Sequence, residues 1–447
     1  MRLGIIGCGY VGVVTAVCFA EIGHKIICLD CNEQKINDLK KGKLPFYEPG
    51  LDELLEENLE KGQIKFTNSL DECVSYGDII FITVGTPSLP DGSLDVAQIE
   101  LLAKQIGHLI NGEKTIVIKS TVPVGTNRHV QEVISSSNST PYRCSVVSCP
   151  EFLREGSAIS DTFNMERVVI GTNEPYVAEL IEQLYSPFSK NFVKTNWETA
   201  ELIKLASNAF LATKISFINE IANISEKCGA DVTKVALGIG LDSRIGMSYL
   251  QAGIGYGGSC LPKDTVATVK LAQTLGYDFE ILKSAVNVNE KQMLKPVKLL
   301  LEVLEEPSLS GKLISVLGLT FKPNTSDIRN SPSLRIIKEI LELGGTVNAY
   351  DPVAISEVKR IFPSLNYYVD IEEAIKGSDA VLILTAWDHI KKFDFSKIFA
   401  LMNEPLIIDG RNVLDSKEME KYKIAYYSIG RSALSTRCEK AKLRWTN

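Results

Sequence analysis

The chain lacks what several functional classes require. No apolar run approaches the roughly 20 residues that cross a bilayer. The opening MRLGIIGCGYVG carries a short apolar stretch but no cleavage-site pattern, and its glycines read as a first strand and turn. A cytoplasmic protein with no membrane partner is therefore expected. Basic residues are not in excess: 48 Lys and Arg stand against 55 Asp and Glu, a net charge of −7. Nucleic acid is not expected as a partner on that balance, although a local basic cluster can still receive an anionic ligand. Histidine is scarce. The four residues (His24, His108, His129, His389) are scattered and show no ligand spacing. Ten cysteines in 447 residues give no sign of a disulfide scaffold. Cys28 and Cys31 have CxxC spacing, but the second pair that a zinc site needs is missing, and Cys28 falls in an apolar strand. Metal catalysis is not expected.

What the chain does have is an alternation of short apolar runs and helix-length segments. Residues 2–7, 24–30, 78–84, 115–119 and 145–149 read as buried parallel strands, and Tyr10 to Ile22 as a helix. From Trp197 to Cys228 there is neither Gly nor Pro, and Leu202, Leu205, Ala206, Ala209 and Phe210 recur at helical spacing. Thr195 or Asn196 can cap this helix. Helical pattern continues through 263–304, and 305–311 reads as a linker. Beyond it the first segment is echoed: LGIIGCG at 3–9 by ISVLGLT at 314–320, GHKIICLD at 23–30 by GGTVNAYD at 344–351, and GDIIFITVGTP at 77–87 by GSDAVLILTAW at 377–387. The expected fold is α/β: a Rossmann-type domain over 1–195, a central long-helix domain over 196–305, and a second Rossmann-like domain over 306–447 without the glycine turn. An uninterrupted mid-chain helix of this length suits packing against a second subunit.

Gly7-Cys8-Gly9-Tyr10-Val11-Gly12 is GxGxxG between a strand and a helix. The first glycine permits a tight turn, the second lets a pyrophosphate reach the backbone, and the third packs helix on strand. Asp30 ends the second strand 18 residues after Gly12. Its carboxylate suits ribose hydroxyls and repels a 2′-phosphate, so NAD is expected rather than NADP. Lys35 can lie near the adenosine or be a solvated helix lysine.

The segment AGIGYGGSCLPKDT at 252–265 places Cys260 after two glycines and a serine. Gly257 and Gly258 would let a substrate approach the backbone beside the sulfur. A thiol is well suited to covalent capture of a carbonyl. Lys263, Lys204 or backbone N–H groups can favour its thiolate. Lys204 and Asn208 lie one turn apart and share a helix face, so they can stabilise an oxyanion and orient a hydroxyl, or simply form a solvated edge. Asp264 can be a base for water or an exposed cap. Glu151, Glu155 and Thr121 follow strand ends, where open α/β sheets place ligand-binding groups. A nicotinamide site with a nucleophilic thiol is equipment for oxidising an aldehyde.

These residues resemble a known family, the nucleotide-sugar 6-dehydrogenases, also called the UDP-glucose/GDP-mannose dehydrogenase family. The resemblance runs nearly end to end: GCGYVG at 7–12, FYEPGLDELL at 46–55, STVPVGT at 120–126, PEFLREGSAI at 150–159, ELIKLASNAFLATKISFINE at 201–220, GIGYGGSCLPKD at 253–264 and LTFKPNTSDIRNSPS at 319–333. It implies an NAD domain, a helical middle bearing a dimer contact, and a C-terminal UDP-sugar lobe. The implied reaction is four-electron oxidation of a sugar C6 alcohol, here of UDP-glucose, with two NAD. The resemblance makes Cys260 the nucleophile and Lys204 with Asn208 the oxyanion stabilisers. Asp264, Thr121 and Glu151 become candidates for proton transfer and water placement. It implies NAD contacts at Gly7, Gly9, Tyr10, Val11, Gly12, Asp30, Lys35, Thr86, Thr121, Glu155, Lys263 and Arg329. It implies UDP-sugar contacts at Glu151, Phe152, Leu153, Lys204, Asn208, Arg244, Tyr249, Gly257, Phe321, Lys322 and Arg411, with Arg244 reaching the partner's site in a homodimer. Tyr256 and Leu261 stand where phenylalanine is common, and Ser326 where aspartate is. The alternatives are a sister specificity (UDP-N-acetylmannosamine, UDP-N-acetylglucosamine or GDP-mannose), a two-electron β-hydroxyacid dehydrogenase, and a non-catalytic nucleotide-sugar sensor.

Overall fold

The computed structural model describes residues 1–432; the last fifteen positions of the expected 306–447 domain lie outside the described residues. Two compact units are formed. One comprises Met1–Ser207 with Val266–Asp278; the other comprises Asn208–Thr265 with the chain from Phe279 onward. The central segment expected at 196–305 is thus divided between them.

The first unit is built on eight strands: β1 (Arg2–Ile6), β2 (Lys25–Leu29), β3 (Ile64–Thr67), β4 (Ile79–Ile82), β5 (Lys114–Ile118), β6 (Cys144–Ser148), β7 (Val168–Gly171) and β8 (Phe192–Thr195). Their order is β3-β2-β1-β4-β5-β6-β7-β8. The first six in this order are parallel, with Gly4 opposite Ile27 and Ile80; β7 joins β6 antiparallel through Ser148 and Gly171. β1, β4, β5 and β6 are buried almost throughout, as expected of parallel strands covered on both faces. The Tyr10–Glu21 helix is buried from Gly12 to Ala20. The expected strands are therefore present, while β3, β7 and β8 went unexpected.

The second unit carries six parallel strands: β9 (Leu313–Leu317), β10 (Thr346–Tyr350), β11 (Asn366–Tyr368), β12 (Ala380–Ile383), β13 (Leu406–Asp409) and β14 (Ala425–Ser428). Their order, β11-β10-β9-β12-β13-β14, repeats the β3-β2-β1-β4-β5-β6 order of the first unit. The echo extends to atoms. Gly7 and Gly318 both have positive φ, +104° and +98°. The Gly7 N–H donates to Leu29 O at 2.8 Å, and the Gly318 N–H donates to Tyr350 O at 2.8 Å. Asp30 accepts from Cys8 N at 2.9 Å, and Asp351 accepts from Leu319 N at 2.8 Å. The lobes then diverge. Asp351 also accepts from Thr320 N, Val353 N, Ala354 N and the Trp387 indole. Its carboxylate is saturated by the fold, and no helix follows β9 until Pro332.

The Trp197–Cys228 helix has the expected ends, and Asn196 is its cap, accepting from Thr199 N at 2.9 Å. The apolar periodicity is split between two faces. Leu205 and Ala209 are buried, but Leu202, Ala206 and Phe210 are exposed. Spacing alone does not say which apolar face its own chain covers.

At Gly12 a Cβ would lie 1.8 Å from Gly7 O. Because that oxygen belongs to the rigid turn, the Gly12→Ala variant should lose about 3 kcal/mol or more of stability and should not bind NAD. Thermal melting and NAD titration check this.

Candidate active site

The dinucleotide turn has the features a pyrophosphate needs. A Cβ at Gly9 would meet nothing within 4 Å, and no side chain caps the helix that starts after it. The N–H groups of that first turn face anionic ligands favourably. The residues present thus fit NAD. Asp30, at the end of β2, accepts from Cys8 N, from Asn32 N at 2.9 Å and from the Lys35 ammonium at 2.7 Å. Lys35 therefore pairs with Asp30 at the end of β2. Burial opposes ionisation of Asp30, but the Lys35, Asn32 and Cys8 donors outweigh it and hold the carboxyl below its ordinary value. Thr86 and Thr121 are both buried, and the Thr86 hydroxyl donates to Thr121 O at 2.8 Å.

After β6 the chain enters PEFLREGSAI. Glu151 accepts from Leu153 N at 2.5 Å and from the Lys204 ammonium at 3.1 Å. The side chains of Lys204 and Glu151 are only 5% and 7% exposed. An ion pair removed from water to this degree needs fixed partners on both sides. The ring of Phe152 lies under both the Arg167 guanidinium and the Lys204 ammonium. The solvated-edge reading of Lys204 is overturned, and so is that of Asn208, which is also buried.

In the second unit Cys260 directly precedes the Leu261–Thr274 helix, and its carbonyl accepts the Asp264 N–H at 2.9 Å. The sulfur is 3.4 Å from Ser259 Oγ. It is partly exposed, whereas Cys8, Cys18, Cys28, Cys73, Cys144 and Cys149 are buried. A helix N-terminus favours negative charge on a group placed there. Asp264 is fully buried, not an exposed cap. It accepts from the Asn208 amide at 2.6 Å and from the Lys263 ammonium at 2.5 Å.

The glycines before Cys260 also serve packing within their own unit. A Cβ at Gly257 would sit 2.1 Å from Asn330 O, and at Gly258 2.8 Å from the Phe321 ring. The 319–333 segment fills that space, so these glycines serve the unit's own packing. Lys322 Nζ lies over the Phe321 ring. Arg411 donates to Leu384 O, Gly255 O and Phe321 O, bracing the segments that carry Gly257 and Phe321. Arg329 is exposed and bidentate on Asp327. Arg244 is bidentate on Asp242, with its side chain 87% exposed. Tyr249 is partly buried at a positive φ of 66°.

Comparison with known proteins agrees over most of the chain. Residues 1–189, 198–291 and 315–416 match the NAD binding, central and UDP binding domains of the UDP-glucose/GDP-mannose dehydrogenase family. The chain belongs to this family. Within it, the chain is 50% identical over 434 residues to UDP-glucose 6-dehydrogenase TuaD of Bacillus subtilis, covering 97% of this chain and 94% of the relative. It is 42% identical to the UDP-glucose 6-dehydrogenase of Rhizobium meliloti over 96% of this chain and all of the relative. Among solved structures, a UDP-glucose dehydrogenase from Pyrobaculum islandicum superposes with a TM-score of 0.90 at 37% identity, covering 96% of this chain and 98% of the other. A UDP-D-ManNAc dehydrogenase from Pyrococcus horikoshii follows at 0.85 and 28%, covering 96% and 99%.

Two buried acids of this family member were missed at the sequence level. Glu48 accepts from Tyr10, Gly156 N and Ala158 N. Glu201, one turn before Lys204, accepts from Gly125 N, Asn127 N and the Asn127 amide at 2.6–2.7 Å. Their partners are more than 70 residues away in sequence or on another element, and no local pattern signals such pairing.

Asp30→Asn should weaken NAD and shift the NAD-to-NADP preference by about tenfold, near 1.4 kcal/mol, in parallel titrations of both cofactors. The depressed Asp30 value fixes a pH sign as well. Its ionised form contributes stability above the ordinary carboxylate value, lost as pH falls through the folded one. NAD affinity should accordingly stay flat from neutral pH down to about pH 5.

Proposed function

We propose that this dehydrogenase oxidises UDP-glucose to UDP-glucuronate with two NAD, by covalent catalysis at Cys260. The observation that carries the thiol's role is its setting: among the described residues it is the cysteine of intermediate exposure, and it stands at the start of a helix. Bound NAD supplies the hydride acceptor at each of the two oxidation steps. Once C6 has reached the aldehyde level, the Cys260 thiolate adds to the carbonyl carbon to form a thiohemiacetal. Oxidation of that adduct gives a thioester. Water then attacks the acyl carbon, the C–S bond breaks, and the thiolate and the sugar acid are released.

Lys204 and Asn208 act on the oxygen of the tetrahedral species. Glu151 keeps the Lys204 ammonium oriented, and the close Lys204–Glu151 contact supports that role. Asp264, held by Asn208 and Lys263, receives or returns the proton of the attacking water, with Thr121 and Glu151 as the further candidates. Gly7, Gly9, Tyr10, Val11, Gly12, Asp30, Lys35, Thr86, Glu155, Lys263 and Arg329 serve the cofactor. Phe152, Leu153, Tyr249, Gly257, Phe321, Lys322 and Arg411 serve the UDP-sugar, with Arg411 acting on the segments it braces. The division 1–195, 196–305 and 306–447 is taken as the division of these tasks.

The working assembly is a homodimer. Phe210, Phe217 and Ile224 recur every seven residues along the long helix and are all exposed, an apolar stripe that a second copy would cover. Arg244, exposed and held out by Asp242, reaches the partner's substrate. No helix among the described residues is long and apolar enough to cross a membrane, and we assign the enzyme to the cytoplasm.

A panel of UDP-glucose, UDP-N-acetylmannosamine, UDP-N-acetylglucosamine and GDP-mannose, with NADH counted per sugar consumed, tests the assignment. Two NADH on UDP-glucose is the expected result. No turnover of UDP-glucose overturns the substrate, and one NADH per sugar overturns the four-electron reaction. Cys260→Ser should lower uronate formation by about 10³-fold or more, the scale of losing a catalytic nucleophile, while NAD binding is retained.

A further inference from the structure

We propose that Glu48 is a positioning residue for the cofactor: its carboxylate ties the backbone at Gly156 and Ala158 to the dinucleotide turn through Tyr10, and so sets NAD affinity. This rests on the reading of residues 7–12 as the NAD turn. Glu48 lies in FYEPG, a motif to which no role has been attached, and is 3% exposed. It accepts from Gly156 N at 2.5 Å, from Ala158 N at 2.7 Å and from the Tyr10 hydroxyl. The Gly156 N–H is also 3.1 Å from the Tyr10 oxygen, so the three groups close a small ring of contacts. The Tyr10 ring packs on Phe46, two residues before Glu48, with centroids 4.9 Å apart.

Tyr10 is the first residue of the helix that opens the turn. Glu155, a proposed NAD contact, immediately precedes Gly156. A buried carboxylate that accepts two backbone N–H groups and one phenol has little freedom to turn. Glu48 therefore locks the loop after β6 against the first turn of the cofactor helix. Burial and the adjacent Glu48 both push the Tyr10 phenol up, so it remains a donor throughout the working pH range. Helix propensity or strand packing would not need a carboxylate here. A glutamine has the same shape but presents an NH2 group to one of the two backbone N–H groups, which breaks one arm of the clasp.

The test is calorimetric titration of NAD into the whole protein without sugar, paired with thermal melting and a KM for each substrate. Glu48→Gln should weaken NAD about tenfold and raise the KM for NAD alike, with the KM for UDP-glucose changed less than about twofold. Tyr10→Phe keeps the carboxylate and removes one arm; it should weaken NAD by about threefold to fivefold. Unchanged NAD affinity in a folded Glu48→Gln protein overturns the proposal, as does an equal rise in both KM values. If Glu48→Gln does not fold, Tyr10→Phe decides: unchanged affinity overturns the proposal. Because NAD is titrated alone, a wrong sugar assignment leaves this result intact.

Discussion

The ion pair between Lys204 and Glu151 is the interaction on which the first unit's site depends. Almost no water reaches it. Breaking a buried pair by misplacing one member costs several kcal/mol, because the remaining charge is stranded. The loop after β6 must therefore hold Glu151 in place, and Glu151 itself accepts the Leu153 N–H within that loop. Five residues after Glu151, the same loop is clasped by Glu48 against the cofactor turn. On the other side Glu201, a turn before Lys204, anchors the segment that follows Thr121. Burial pushes the Glu201 carboxyl up, against the pull of its Asn127 and Gly125 donors. One buried charge is thus supported by two others, and each acts on backbone N–H groups rather than on another side-chain charge alone.

The two sheets show how one strand order can be put to different uses. Both units place a positive-φ glycine after the central strand and clasp the next N–H groups with an aspartate from the neighbouring strand. In the first unit the glycine-rich turn leads straight into a helix, and Asp30 shares its carboxylate with a side-chain partner, Lys35. In the second unit the Asp351 carboxylate is fully taken up by backbone and Trp387. The long segment from Gly318 to Ser331 forms no helix. It instead packs Phe321 and Asn330 into the spaces left by Gly258 and Gly257.

Much of this was legible in the residues. Strands such as IIFI and VVS announce themselves because both sides are buried, and the Trp197–Cys228 helix is bounded by its cap and by the following glycine. The two edge strands were not legible: no residue of FVKT in β8 is fully buried, and IKFT of β3 exposes Lys65. The exposed face at Phe210 was counted with the buried one, because period does not reveal what covers a face. Cys260, Lys204, Asn208 and Asp264 stood out through their motifs. Gly257 and Gly258 stood out too, and the structure adds that Asn330 and Phe321 pack closely against them. Glu48 and Glu201 were invisible because their partners are distant in sequence.

The thiol chemistry remains the claim from which the functional account follows. It is tested most directly by mixing the enzyme with UDP-glucose and NAD, quenching in acid within a turnover, and measuring the mass of the peptide that contains Cys260. The account predicts a covalent uronyl adduct on that peptide. Turnover to two NADH per sugar with this peptide unmodified at every quench time, or with the adduct on another residue, would contradict it.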